Sequence, residues 1–376
     1  MSAGKRGMPT INDVAAAAGV SRATASRALS NYGRIADETV EKVKAAAESL
    51  GYRPNQVAQA MRAGRTKTIG LVVLADFTNA FFDRVTKSVV DAAKSAGYQV
   101  LISNTDEDIE VERQAIETLL EKQVDGMIVT PSTVAVHDHL SDKSLGGRPA
   151  ILIDRRLDSA NLTSVTTDDF SGCEQAVRHA SSLGHSRFGF LIAVPGIRGF
   201  TKEQPAMLIT PIEERVNGFA HGAIESGVKP KAQSWLFCED DPVASQAAVA
   251  ALLDQPKPPT VIFTSNNDML LAVLKVAGNR RLAIGRDISV ITVDDSEWAA
   301  AMVPGITVVA RPVEDVGRLA VELLVAEIEA NGGGRQKLVL PTELLARESV
   351  ANLKLRPELD PDYQAKYGTE VTYGNE

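Results

Sequence analysis

Beginning at Thr68, short apolar runs alternate with stretches of helical periodicity, and that alternation leaves few architectures open. IGLVVLA is followed by residues 81–96, YQVLIS by 109–121, and DGMIVT and AILID complete a first series. A second series runs FGFLIA, 215–226, 243–253, TVIFT, 270–277 and ISVITVD. Continuous Val/Ile/Leu runs suit strands buried on both faces, and the amphipathic segments between them suit the helices that cover those faces. The order predicts βαβ units with parallel sheets, arranged as two similar α/β lobes with a cleft between them.

Ligands of such sheets bind outside the carboxyl ends of the strands. Those ends carry Asp76 and Asn79, Asn104 and Thr105, Asp154 and Arg155, Asn267 and Asp268, and Asp294, with Phe81, Phe82 and Trp298 close by in sequence. Short polar side chains beside aromatic rings suit a polyhydroxylated ring, hydrogen-bonded at its edge and stacked on its face. The alternative for each Asp or Asn is that it only caps the next helix.

The residues before Thr68 read differently. Residues 1–67 hold 11 Lys and Arg against 5 Asp and Glu, a charge of +6, and the other 309 residues carry the −14 that brings the 376-residue chain to −8. A basic head on an acidic body fits a nucleic-acid-binding module joined to a metabolite-sensing one. Ile11, Val14, Ala15 and Ala18 form one apolar stripe, Thr10 and Asp13 make a capping-box start, and Gly19 ends the helix. Ser21 can cap a second helix that turns Ala25, Ala28 and Leu29 inward and Arg22, Ala23, Ser26 and Arg27 outward. A third helix, from about Asp37 to Leu50, has Val40, Val43, Ala47 and Leu50 on its inner side. Three short helices with a tight glycine turn between the first two make a helix-turn-helix.

Other classes find little support. No apolar stretch reaches the roughly 18 residues that span a bilayer, and the N-terminus has no apolar signal region, so a cytoplasmic protein is expected. Cys173 and Cys238 have no metal or disulfide spacing. His137 and His139 form an HxH in a loop-like stretch without a recognisable third ligand, so no metal is expected. No dinucleotide, Walker, HExxH or GxSxG pattern is present, which argues against an enzyme and against a cofactor.

The run T-I-N-D-V-A-x-x-A-G-V-S-R-A-T-A-S-R-A-L-S (10–30) resembles the head of LacI/GalR-family bacterial transcription regulators, and E-K-V-K-A-A-A-E-S-L-G-Y-R-P-N-Q-V-A-Q-A-M (41–61) its third helix and hinge. Further motifs similar to family landmarks are T-N-A-F-F (78–82), V-D-G-M-I-V (124–129), I-L-I-D-R (151–155), L-G-H-S-R (183–187), N-D-M-L-L-A (267–272), D-I-S-V-I-T-V-D-D (287–295) and A-R-E-S-V-A (346–351), so the likeness runs from Thr10 to Ala351. It implies a small all-α helix-turn-helix head (1–54), a hinge helix and linker (55–67), an α/β two-lobe periplasmic-binding-protein-like effector and dimerisation domain (68–352), and a C-terminal extension (353–376). Arg22, Ala23 and Arg27 then hold base-reading positions. Ser21, Thr24 and Ser26 bond phosphates, Asn55 belongs to the DNA-binding set, and Met61 wedges into the minor groove or packs on a partner's hinge. Asp76, Asn79, Phe81, Phe82, Asp154, Arg155, Arg215, Asn267 and Asp294 line the effector cleft. The implied partners are near-palindromic operator DNA, a carbohydrate-like effector and a second copy of the chain, as a homodimer or tetramer. A purine or protein corepressor is the alternative effector, and a sugar-binding transport protein the more remote reading. Four positions depart from the pattern: Ala36 where a serine is usual, a longer segment at 193–213, Asp240 where many relatives carry an aromatic residue, and Thr292 in place of a glycine shortly before Asp294.

Overall fold

A computed structural model of the chain describes residues 9–29, 34–52, 65–74, 80–132, 136–157, 160–330 and 335–355, and divides it into two compact units at Thr68/Ile69. The expected hinge residues Asn55 and Met61, the cleft residues Asp76 and Asn79, and nearly all of the C-terminal extension lie outside the described residues.

The small unit is built from α1 (Ile11–Ala18), α2 (Arg22–Leu29) and α3 (Asp37–Leu50). The Thr10 N–H and hydroxyl both donate to Asp13 at the start of α1, and Gly19 ends it at φ 66°, a conformation costly for a residue with a Cβ. Val14, Ala15, Ala25, Ala28, Val43, Ala46 and Ala47 form the core, and its alanines let three short helices approach closely. Leu50 departs from the sequence expectation: it is 39% exposed, and Ala46 takes the inward position. Val43, Ala46 and Ala47 stand at i, i+3 and i+4 on the buried side of α3, and Leu50, at i+7, is the last residue of the helix.

In the large unit one lobe holds a six-stranded sheet of order β12-β5-β4-β3-β1-β2: β1 (Thr68–Val73), β2 (Gln99–Asn104), β3 (Gly126–Val129), β4 (Ala150–Ile153), β5 (Thr163–Thr167) and β12 (Lys337–Leu340). On one face lie α4 (Ala80–Ser95) and α11 (Val313–Ala330), through Phe81, Val85, Val89, Val316, Ala320 and Leu324. On the other lies α5 (Ile109–Glu121), through Ala115, Ile116 and Leu119. The second lobe holds a seven-stranded sheet of order β13-β11-β10-β9-β6-β8-β7: β6 (Phe188–Ala193), β7 (Phe200–Thr201), β8 (Gln233–Cys238), β9 (Val261–Thr264), β10 (Ser289–Val293), β11 (Thr307–Ala310) and β13 (Glu343–Leu345). Its faces are covered by α6 (Asp169–Ser182) with α7 (Thr210–Glu225), and by α8 (Pro242–Leu253) with α9 (Asn267–Asn279). A short α10 (Glu297–Ala301) follows β10.

The two lobes are not consecutive halves of the chain. It crosses from the first to the second after β5, returns after β11 so that α11 and β12 complete the first lobe, and crosses again before β13. β12 pairs parallel with β5 (Leu338↔Val165), while β13 pairs antiparallel with β11 (Val309↔Leu344). The long segment at 193–213 contributes β7, which extends the second sheet by pairing antiparallel with β8 (Phe200↔Cys238), and its Ile197, Leu208 and Ile209 pack on the lobe's core.

Candidate functional site

Each unit presents its own candidate surface. In the small unit, Ala25 and Ala28 anchor α2 in the core, which leaves Arg22, Ala23 and Arg27 exposed and Ser26 half-buried on the opposite arc. The Ser21 hydroxyl accepts from the Thr24 N–H at 3.0 Å and stands 2.8 Å from the Thr24 hydroxyl. These two side chains therefore cap α2, and Thr24 is held by that cap. No serine caps α3: Ala36 is at its N-cap without a side-chain bond, and Asp37 and Glu38 supply negative charge to the first turn instead.

In the large unit the carboxyl ends of strands from both sheets meet in one buried ionic network. Asp154 follows β4 in the first lobe and Asp294 follows β10 in the second, and both adopt left-handed backbone conformations, at φ 63° and 73°. Such a conformation costs a non-glycine residue on the order of 1 kcal/mol, and Asp is among the residues that tolerate it best. Each amide is tied to the neighbouring strand, Asp154 N–H to Val165 O and Asp294 N–H to Val309 O, at 3.1 and 3.0 Å. Both carboxylates are joined by Arg311, at the crossing between β11 and α11. Its Nε and Nη2 donate to the two Asp294 oxygens at 2.6 and 2.8 Å, and its Nη1 donates to Asp154 at 2.7 Å. The same guanidinium lies 3.7 Å from the centre of the Phe81 ring, which meets Phe82 edge to face at 5.1 Å.

Arg215 on α7 donates to Asp169 and to Ser265 O, both at 2.7 Å, and Asp169 also accepts from the Thr167 hydroxyl at 2.6 Å. Burial pushes the Asp169 carboxyl up, but the charges of Arg215 and Arg311 and its hydrogen bonds outweigh that and hold it below its ordinary value. Burial likewise opposes the charge on Arg311, yet Asp294, Asp154 and Asp169 keep its protonated form favoured beyond the usual arginine range. Arg155 donates through Nη1 and Nη2 to the two Glu107 oxygens and through Nη1 to Pro131 O. Further ties join the lobes, among them Arg156 to Glu214 at 2.6 Å, the Arg156 amide to the Thr210 hydroxyl at 3.2 Å, and Arg84 to Asp295 O at 3.2 Å. Asn267 is 9% exposed, and its Oδ1, like the Arg155 Nε, is buried without a hydrogen-bond partner among the described residues.

The structure thus brings Phe81, Phe82, Asp154, Arg155, Arg215, Asn267 and Asp294 to the ends of facing sheets. Other strand-end residues serve the chain itself. Asn104 closes a turn with Asp106, and Asn266 caps α9 and bonds Asp240 at 3.1 Å. Thr292 bonds Asn266 O at 3.2 Å, and Trp298 is 38% exposed on α10. Sequence reasoning missed Arg311, Asp169 and Glu107. Arg311 directly follows the apolar run ITVVA, so the strand-end rule that picked Asp154 also applies to it. The HxH has an acidic partner as well: His139 Nε2 lies 2.6 Å and His137 Nε2 3.7 Å from the buried Glu112, which also accepts from the Ser132 amide and hydroxyl. Among the described residues no group of three His, Cys, Asp or Glu side chains is arranged to hold a metal. Burial is the first reason that both cysteine thiols are pushed up to about 12. No helix among the described residues is long and apolar enough to cross a membrane.

Residues 10–55 match the family described as bacterial regulatory proteins, lacI family, and residues 177–350 match a periplasmic binding protein-like domain. The chain is 32% identical over 347 residues to the HTH-type transcriptional regulator DegA of Bacillus subtilis (strain 168), covering 92% of this chain and 98% of DegA. It is 30% identical over 342 residues to the ribose operon repressor of Halalkalibacterium halodurans, covering 91% and 97%. Among solved structures, the lac repressor dimer bound to operator and an anti-inducer superposes with a TM-score of 0.78 at 21% identity, over 92% of this chain and 100% of that one. The complex of the transcriptional regulator CelR with cellobiose superposes with a TM-score of 0.63 at 28% identity, over 91% and 99%.

Proposed function

Because the chain belongs to the LacI family of bacterial regulatory proteins, we propose that it is a sequence-specific DNA-binding repressor whose operator affinity is set by a small effector held between the lobes of its large unit. The observation that carries the effector site is the meeting of Asp154 and Asp294 from two different sheets on one buried guanidinium, beside unsatisfied buried polar atoms of Asn267 and Arg155. Short polar groups flanked by Phe81 and Phe82 suit a carbohydrate or a derivative of one, and a ribose operon repressor and a cellobiose-bound regulator are among the similar proteins.

In this reading α2 enters the major groove. Arg22, Ala23 and Arg27 meet base edges, and Ser21, Thr24 and Ser26 meet phosphates, which set register without reading sequence. Asn55 and Met61 act in the segment joining head (1–54) and body (68–352). The protein acts in the cytoplasm as a homodimer, because one helix-turn-helix reads one half-site and a two-fold dimer reads a near-palindrome. Selection of bound duplexes from a random pool tests this. A palindromic consensus bound by dimers, and loosened or tightened by a carbohydrate, is the expected result. Binding without sequence preference, or tight specific binding by a monomer, would overturn it.

A further inference from the structure

Resting on that reading of the inter-lobe site, we propose that the effector is an uncharged polyhydroxylated molecule, and that Asp154 and Asp294, by occupying Arg311 from both lobes, make the site select it over its anionic counterparts. Three buried guanidiniums stand at the junction, and each is matched: Arg155 by Glu107, Arg215 by Asp169, and Arg311 by Asp154 and Asp294 together. Four carboxylates face three guanidiniums, so this set carries a net charge of −1 before any ligand arrives. Asp154, Asp169, Asp294, Arg215 and Arg311 are each at least 91% buried, so water and salt screen them poorly.

A ligand carboxylate or phosphate could enter only by adding a negative charge to this set, or by prising a carboxylate off its guanidinium and leaving that carboxylate buried and unpaired. A hydroxyl does neither. The polar atoms that lack a hydrogen bond include one acceptor, Asn267 Oδ1, and one donor, Arg155 Nε, and a hydroxyl satisfies both kinds because it donates and accepts. Arg311, already neutralised from both lobes, thus leaves open no cationic subsite for an acidic sugar.

The test uses the full chain and its selected operator duplex. D-ribose, D-glucose and cellobiose are each titrated beside the matching aldonate and phosphate ester, with melting temperature and duplex release as readouts. The neutral member of the responding set is expected to act at a concentration at least tenfold below its acid and its ester. Asp294→Asn removes one negative charge, so it should narrow that ratio at least tenfold, which a purely structural role for Asp294 does not predict. Asp154→Asn, on the other lobe, gives the same readout if Asp294→Asn does not melt cooperatively, and the wild-type ratio stands by itself if both fail. An acid or ester acting at or below the concentration of its parent sugar, or a ratio unchanged in a folded Asp→Asn variant, overturns this proposal alone. Silence from all nine compounds overturns the carbohydrate reading of the site, and this proposal with it.

Discussion

At the scale of single residues, the two surfaces are held by different forces, and substitutions should separate them. Arg27 is exposed on α2 while Ala25 and Ala28 fix that helix in the core, so Arg27→Ala should leave the fold intact. It is expected to lose roughly 1–3 kcal/mol of specific binding and to relax one base of the selected consensus, whereas Ser26→Ala should weaken all duplexes evenly. An identical consensus for wild type and Arg27→Ala would refute its base-reading role. In the body, charge is the dominant concern. Asp294→Ala strips Arg311 of its two-pronged carboxylate partner, and breaking a buried pair in this way costs about 3–5 kcal/mol, so the melting temperature should drop well below that of the wild type, with the isosteric Asp294→Asn, which keeps one acceptor, in between. Equal melting of Asp294→Ala and wild type would remove the network from the account. Asp169 contributes to the acid limit. Its folded-state carboxyl is held below the ordinary value, so its contribution is complete above the unfolded-state value near pH 4 and is lost as pH falls through the depressed folded one. Acid unfolding of the wild type should therefore steepen below about pH 4. Asp169→Asn should be less stable at neutral pH and show a shallower acid limb, and parallel acid limbs for the two proteins would contradict the assignment.

At the scale of elements, α7 shows what a helix face needs in order to pack. Gly218 and Gly222 stand four residues apart on the side that meets α6, where a Cβ on Gly218 would collide with Phe170 O and one on Gly222 would lie 2.9 Å from Glu174 O. Gly218→Ala must push the helices apart and should destabilise the protein by about 1–3 kcal/mol in urea unfolding. Gly278, in α9 with nothing within 4 Å of its Cβ position, is the control: alanine there should be neutral or stabilising by up to ~1 kcal/mol. Equal effects at the two sites would mean that α6 and α7 are not in close contact. The same contrast explains what could be read in advance. The three head helices are legible because cap, stripe and glycine stop agree within twenty residues, as at Thr10, Val14 and Gly19. The individual β runs are legible too, but not the sheet that each one joins. Lys337–Leu340 and Glu343–Leu345 are three residues apart, and one pairs with β5 while the other pairs with β11, a choice made by partners more than thirty residues away. The site inherits that limit. Asp154 and Asp294 could be picked locally as strand ends, whereas Arg311 gains its meaning only because the chain crosses between lobes at that point.

At the scale of the whole molecule, the charge of +6 on residues 1–67 and −14 on the rest has to serve two kinds of binding at once. Phosphate neutralisation by the head releases counter-ions, so operator affinity should fall steeply with salt, while an uncharged effector bound by the body should be nearly indifferent to it. That difference permits a clean measurement of coupling. If effector and operator are linked through the lobe arrangement, each must change the other's affinity by the same factor, typically 5–150-fold, corresponding to 1–3 kcal/mol. The responding sugar is titrated against free protein and against the protein–operator complex, and the operator is titrated with and without saturating sugar, at two salt concentrations. The sugar affinities should differ by one factor, and the operator affinities by that same factor. Raising salt should shift both operator constants together and leave their ratio in place, because salt acts on the phosphate contacts and the sugar acts on the junction of Asp154, Arg311 and Asp294. A sugar bound equally well by free and operator-bound protein would mean that the junction does not report to the head, and would leave the body a binding domain with no say over DNA.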